Sequence, residues 1–324
     1  MTISYISRRQ FVAGGLAAAS TAALAETGYP VRPIRIVVPV PPGGFADTLP
    51  RLIAEKLATR WNQSIVVENR PGAGLNIGAE AVAKSAPDGY TLLATPPGPL
   101  VTNQALYPTL GYDPGAFVPV TIVAKGPFLL IARKTLPVAS LAELIAYAKA
   151  NPNKLNYGSS GAGSMPHLAS EMLKSKAGIS LVHVPYKGLT PALMDVMAGH
   201  VDMMFHDVAS VSSQIKAGQV KLLGTGSETP VPEFPDAPPI ASTFPGFSAS
   251  AWYAVVAPPK TPAAIAAKLS EAIADVLRTP EVTRKLREVA ISPVGTSPKE
   301  TAAFLKQETE RFRQIIVSAG IRGE

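Results

Sequence analysis

From Pro33 onward, short β-branched runs alternate with stretches whose apolar residues recur every three or four positions. IRIVVPV (34–40) and SIVVEN (64–69) read as strands. Between them LPRLIAEKLATRW (49–61) reads as a helix with Leu49, Leu52, Ile53 and Leu57 on one face. Further strands are expected at 90–94, 118–124, 128–132, 155–158, 181–184, 201–205 and 220–223. Strands alternating with helices predict an α/β protein with largely parallel sheets. Helix starts are well marked. Ser140 with Glu143 and Ser297 with Glu300 form capping boxes, and Thr190-Pro191, Thr261-Pro262, Thr279-Pro280 and Ser297-Pro298 place a capping hydroxyl before a first-turn proline. The last 60 or so residues read as an outer layer of helices, and the proline-rich stretch 230–245 reads as a connection between domains.

The chain has 324 residues, 47% apolar and 16% charged, the composition of a folded protein of about two domains. Its 32 prolines are about twice the average share and fit many short elements joined by rigid turns. There is no cysteine, which excludes thiolate metal sites, cysteine nucleophiles and disulfides. A net charge of +7 without clustered Lys/Arg and interleaved aromatics argues against nucleic acid as a partner and suits small anions somewhat better.

The N-terminus reads as an address. ISRRQFVAGGLAAASTAALA has a charged start, an apolar run from Phe11 to Ala25, and Ala23-Leu24-Ala25 as a cleavage site. The run of about 15 residues is shorter than the roughly 20 that span a bilayer. Residues 1–25 are therefore expected to be an export signal, cleaved after Ala25. Arg8-Arg9 before Gln10 and Phe11 fits a twin-arginine signal, with Sec export left open. Either route leads to a bacterial periplasm.

Two loops share one design: a strand, small residues, then a helix. The first is PVPPGGFAD (39–47), with Gly43, Gly44, Phe45, Ala46 and Asp47; the second is YGSSGAGSMPH (157–167), with Ser159, Ser160, Gly161, Gly163 and Ser164. Glycines admit close approach of the backbone, and amides at a helix start carry the positive end of its dipole, so each loop is a candidate anion site. Catalytic patterns fit these strings poorly. Gly158-Ser-Ser160-Gly-Ala162 departs from the G-x-S-x-G elbow at its last position, and the same glycines lack the G-K-[ST] ending of a phosphate loop. RPGAGLNIG (70–78) is one residue longer than the dinucleotide fingerprint and reads more simply as a turn into a short helix at 77–85. Of the four histidines, His183 reads as structural and His200 as a turn residue, while His167 and Glu171 make a single i,i+4 pair and no metal set. His206-Asp207 differs. It ends a strand, where ligands collect in open α/β sheets.

The strings IRIVVPVPPGGFAD, VVENRPGAG, PDGYTLL, ALYPTLGYDP, AELIAYAKANPNKLNYGSSGAGSMPHLASE, VPYKG and IKAGQVKLL, in that order, resemble the substrate-binding receptors of tripartite tricarboxylate transporters, the Bug family. The likeness runs from about Tyr29 to the C-terminus. It implies a two-lobed periplasmic binding protein fold of type II character with a cleft between α/β lobes, the chain crossing twice, so that 26–128 with 250–324 form lobe I and 129–249 form lobe II. It also implies a monomeric receptor, not an enzyme, that needs no cofactor or metal, binds a small organic carboxylate and delivers it to a two-component membrane permease. The two glycine loops match the family's principal ligand contacts, and Thr95, His206 and Asp207 match further cleft positions.

Three departures bear on the ligand. Thr95-Pro96-Pro97-Gly98-Pro99 stands where relatives carry small hydroxyl residues. His206 then Asp207 replaces aspartate then asparagine. GSETPVPEFPDAPPIAS lacks an arginine usual after the last cleft strand. A cleft favouring an apolar or aromatic body over citrate is expected, because the hydroxyl and third carboxylate of citrate need partners. Two alternatives stay open: an NAD(P)-dependent oxidoreductase using Gly72, Gly74 and Gly78, and a ligand sensor for a signalling partner.

Overall fold

The structure, a computed structural model, describes residues 28–323; the export signal and cleavage site expected from the sequence lie outside the described residues. β1 (Ile34–Val38) is buried along nearly all its length, as a parallel strand covered on both faces should be. It pairs in parallel with β2 (Ile65–Asn69) and β3 (Thr91–Thr95). Beyond β3 the sense changes. β9 (Ser250–Ala257) runs antiparallel to β3 and to the first part of β4 (Val118–Arg133). The far part of β4 pairs antiparallel with β7 (Met203–Asp207) and β8 (Val220–Thr225), and β7 leads in parallel to β5 (Asn156–Ser159) and β6 (Val182–Pro185). A two-residue strand, β10 (Ser292–Pro293), pairs with β4 at Ala124 and Lys125.

The sheet is thus mixed rather than largely parallel. The reason lies in β4. The strands expected at 118–124 and 128–132 are one strand of 16 residues, continuous through Gly126-Pro127. Its first part belongs to one set of strands and its last part to another. A chain that leaves along β4 returns along β9 in the opposite sense, so antiparallel pairs gather at the crossing while parallel βαβ units keep the flanks.

The helices are α1 (Phe45–Trp61), α2 (Asn76–Ala83), α3 (Asn103–Leu106), α4 (Leu141–Ala150), α5 (Met165–Ala177), α6 (Leu189–Ala198), α7 (Val208–Lys216), α8 (Ala263–Arg278), α9 (Pro280–Glu288) and α10 (Pro298–Ser318). α1 buries Leu49, Ile53 and Leu57 on the expected face but starts four residues early, directly after the extended Gly44, and carries Pro50 inside it. α10 opens with the complete reciprocal box of Ser297 and Glu300. At α4 only half of the box forms: Glu143 N–H donates to Ser140 Oγ, while the Glu143 carboxylate accepts from Ala139 N. Thr190 is not a cap, because α6 begins at Leu189 behind Gly188, whose φ of 122° turns the chain. α8 starts behind Pro262 rather than Thr261, and Thr279 precedes α9 with its hydroxyl donated back to Val276 O. No helix among the described residues is long and apolar enough to cross a membrane.

Candidate ligand-binding site

The first glycine loop follows β1. Gly43, at φ 101°, is exposed, and its N–H donates to Asp47 Oδ2 at 2.9 Å. Asp47 is only 3% exposed and also accepts from Arg51 Nε at 3.0 Å and Asn69 Nδ2 at 2.8 Å. The hydrogen bond from Arg51, with those from Gly43 and Asn69, holds the carboxyl down at about 2 despite burial. Asp47 therefore braces the loop from within, and the Gly43 amide is taken up by it. Gly44 stands in open space at φ −82° as the N-cap of α1. Phe45 sets its ring edge-on against Tyr253, centroids 5.2 Å apart. Ala46 and Thr95 lie inward, lining a ≈ 20 Å³ void beneath α1, and the Thr95 hydroxyl donates to Pro96 O.

In the second loop alternate residues turn opposite ways. Ser159 is fully buried, and its Oγ accepts from Gly161 N at 3.1 Å and lies 2.6 Å from His183 Nε2. Gly163 N donates to His167 Nδ1 at 3.0 Å. Ser160, Ala162 and Ser164 instead line a cavity, together with Gly163 and the first turn of α5. Ser164 is the N-cap of α5, yet it gives that helix no side-chain cap, because its hydroxyl donates to Gly161 O at 2.7 Å. Pro166, in the first turn of α5, has no N–H, so the start of the helix offers the amides of Met165 and His167, without a side-chain cap and with the helix dipole behind them, next to the cavity that Met165 and Pro166 line.

The cavity has a volume of ≈ 350 Å³. Its opposite wall comes from Pro96, Pro97 and Gly98 after β3, from Asn103, Leu106 and Tyr107 around α3, and from Phe128, Trp252 and Tyr253 at the crossing strands. All the residues lining it are uncharged, and most of the far wall is apolar or aromatic. The two walls touch: a Cβ on Gly163 would collide with Leu106. Asn103 is buried, and its amide donates to Gly74 O at 2.8 Å and Asn76 Oδ1 at 2.7 Å, which fixes this wall.

His206 and Asp207 are at the end of β7 as expected, but neither lines this cavity. His206 is 2% exposed, with Nδ1 3.2 Å from Asp207 Oδ2 and Nε2 buried without a partner. Asp207 caps α7 by accepting from Ser210 N at 2.9 Å. Burial would raise its carboxyl, but the hydrogen bond and charge of His206, with the bonds from Ser210, hold it below the usual range.

The structure thus brings Ser160, Gly163 and Ser164 together at the cavity, sets Phe45 against its wall residue Tyr253, leaves Gly43 and Gly44 exposed on the first loop with Asp47 buried behind them, and keeps Ala46, Thr95, Ser159, Gly161, His206 and Asp207 out of the lining. Sequence reasoning passed over Asn103, Tyr107, Phe128 and Tyr253 as wall residues. The only available signal was ALYPTLGYDP, which holds Tyr107 within a matching string. The glycines of RPGAGLNIG have packing reasons: a Cβ would strike Ile77 at Gly72, Tyr107 at Gly74, and both Arg70 O and Pro39 at Gly78. Among the described residues no cluster of three or more His, Asp or Glu could hold a metal ion.

The model of the tripartite tricarboxylate transporter family receptors matches residues 49–321. Among solved structures, R. palustris Rpa4515 with adipate is 38% identical, with a TM-score of 0.82 over 91% of this chain and 99% of that one. The periplasmic binding protein BugD is 32% identical, with a TM-score of 0.78 over 91% of this chain and 100% of its own. MatC from Rhodopseudomonas palustris, with bound malate, is 32% identical, with a TM-score of 0.77 over 89% of this chain and 100% of its own. The α/β fold with its interlobe cleft is that of these binding proteins, and the chain belongs to the tripartite tricarboxylate transporter receptor family.

Proposed function

We propose that this chain is a periplasmic receptor that captures a small organic carboxylate in the cavity between the 159–164 loop and the wall built by 96–107 and 250–253, and hands it to a two-component membrane permease. The observation that carries this reading is the seat formed by Ser160, Ala162, Ser164 and the uncapped start of α5, facing a wall without charge. A carboxylate there accepts hydrogen bonds from main-chain amides and from the Ser160 hydroxyl, with the helix dipole behind them, and needs no arginine. The adipate and malate bound by the related structures support the ligand class. The export signal expected at 1–25 and the likeness to BugD support the location. In this reading the lobes divide as 26–128 with 250–324 and 129–249, and the pairing of β4 with β9 falls at their boundary.

The wall narrows the class. Pro96 and Pro97 have no N–H to offer, and Phe128, Tyr253 and Leu106 present apolar surface, so a second or third carboxylate would lose water without gaining a partner. Acids with an apolar or aromatic body should bind more tightly than citrate. The test is thermal unfolding with acetate, hexanoate, adipate, malate, citrate, benzoate and phenylacetate, with the emission of Trp252 in the cavity wall as a second readout. An acid at a hundred times its Kd adds about 2.7 kcal/mol, which raises the midpoint by roughly 5 °C or more. Tight citrate binding with no response to the monocarboxylates would overturn the polarity assignment. No response to any acid would overturn the ligand class. Uptake of the best acid by cells with and without the gene tests delivery.

A further inference from the structure

Beneath the 159–164 loop two imidazoles lie face to face. His167, on α5, and His183, on β6, stack with centroids 3.9 Å apart and planes 15° from parallel, and the ring of Tyr157 of β5 lies 4.9 Å from His183 and 6.1 Å from His167. Each imidazole holds one residue of the loop from beneath. His183 Nε2 lies 2.6 Å from Ser159 Oγ, which in turn accepts from Gly161 N. His167 Nδ1 accepts the Gly163 N–H. An acceptor nitrogen carries no proton, so His167 is the tautomer with its proton on Nε2, which faces Glu171 Oε1 at 4.0 Å. That carboxylate also accepts from Tyr157 OH at 2.5 Å and from Lys174 Nζ at 2.7 Å. The titratable groups facing His167 are thus His183, Tyr157, Glu171 and Lys174.

We propose that the stacked pair His167–His183 positions the carboxylate seat, holding the Ser159 side chain and the Gly161 and Gly163 amides from beneath so that Ser160, Ala162 and Ser164 face the cavity, and that this arrangement holds only while His167 Nδ1 carries no proton. The proposal rests on the reading of this loop as the seat. A proton on Nδ1 would set two N–H groups against each other and leave the Gly163 amide without its acceptor in a buried site. The arrangement resists protonation: burial first, then the charge that a protonated His183 would place on its stacked neighbour, hold His167 down at about 4. The seat is therefore intact from neutral pH to about 5 and fails as pH falls through about 4. His167 and His183 act through the loop and are positioning residues.

The test begins on the ligand-free full chain with 15N-labelled histidine and backbone. The His167 Nδ1 signal should be that of an unprotonated nitrogen down to about pH 5, with the Gly163 amide protected from exchange, and both should shift with one midpoint near 4. His167→Gln keeps an acceptor that does not titrate, so Gly163 should stay protected with no midpoint. His167→Leu should lose at least tenfold of the protection at every pH. In binding, measured with the acid giving the largest thermal shift above, His167→Leu should be at least tenfold weaker, and Ser159→Ala weaker with the His167 titration retained. The wild type should lose affinity towards pH 4 more steeply than His167→Gln, which shares the acid's own protonation. If His167→Leu does not fold, the wild type and His167→Gln decide the matter alone. A Gly163 amide that ignores the His167 titration, or equal pH profiles in wild type and His167→Gln, would overturn the proposal. Coupled signals in a chain that binds none of the acids would support the positioning pair and overturn the carboxylate reading alone.

Discussion

His167 and Asp47, one from each glycine loop, are both held below their ordinary titration ranges, and each ties part of the stability to pH. His167 stays neutral down to about 4 against an ordinary 6.5, so between these values the unfolded chain binds a proton that the folded chain refuses. Stability from this residue is complete above the unfolded value and is lost as pH falls from about 6.5 to 4, with a slope of at most about 1.4 kcal/mol per pH unit. Asp47 acts in a lower window. With its carboxyl held at about 2 against 3.8, its contribution is full above 3.8 and is lost as pH falls towards 2. Urea unfolding at pH 7, 5.5 and 4.5 should show wild-type stability falling faster than that of His167→Gln, and equal slopes would refute the assignment. Asp47→Ala at pH 7 should cost about 2 kcal/mol, since it leaves the Gly43 amide and Arg51 without a charged acceptor. These roles were hidden in the sequence. His167 and Asp47 were each visible as one residue of a loop, but their work depends on which way the side chain turns: Asp47 folds back on Gly43, four residues earlier, and His167 meets His183 from a different strand. Spacing places residues on elements and leaves such orientation open.

At the scale of elements, much was legible wherever one local rule decided the outcome. The apolar face of α1, the reciprocal cap of α10 and the two strand–loop–helix units follow from periodicity and capping chemistry. The sequence reading failed where a neighbour decided. Gly126-Pro127 reads as a break between two strands, yet the packing of Ile291 against Gly126 and the pairing of Pro127 with Ser250 carry β4 straight through. The glycines of the two loops are likewise unequal. Gly44 has φ −82° and open space around it, so Gly44→Leu should fold, with the midpoint lowered by only about 1–3 °C for the poorer N-cap, while filling the approach beside Phe45; reduced acid binding in this folded variant would place the first loop at the ligand. Gly161 and Gly163 have φ 114° and 70°, where a side chain strains the backbone. Gly163→Ala adds a collision with Leu106 across the cleft, so it should lower both stability, by roughly 1–3 kcal/mol, and affinity. Calorimetric titration beside thermal unfolding separates these effects, and a Gly163→Ala variant with full affinity would show that the walls need not meet.

For the whole molecule, the crossing decides how the two halves can move. In the proposed two-lobed arrangement the chain passes between the halves along β4 near Pro127–Phe128 and returns at 249–250. Here Phe128 N donates to Ala249 O at 2.9 Å, Gly226 N to Phe128 O at 2.7 Å, and Ala249 N to Gly226 O at 2.8 Å. A joint of three hydrogen-bonded segments resists sliding but permits bending about an axis through the strands, the hinge form of closure. On the far side of the cavity Leu106 meets the 159–164 loop, with no covalent link to keep them together. Opening should therefore separate Leu106 from Gly163 while Phe128, Gly226 and Ala249 keep their bonds, and a carboxylate seated on α5 should favour the closed form by contacting both walls. The absence of cysteine makes this directly measurable. Spin labels at Thr59→Cys on α1 and Lys149→Cys on α4, both exposed and on opposite halves, leave the cavity untouched. Their distance distribution should be broad without ligand and should narrow to a shorter distance at saturation with the best acid, while a control pair within one half, Thr59→Cys and Lys268→Cys, stays constant. An unchanged distribution for the cross-lobe pair at saturation would mean that the seat binds without closure, and the contact between Leu106 and Gly163 would then be a permanent feature of the fold.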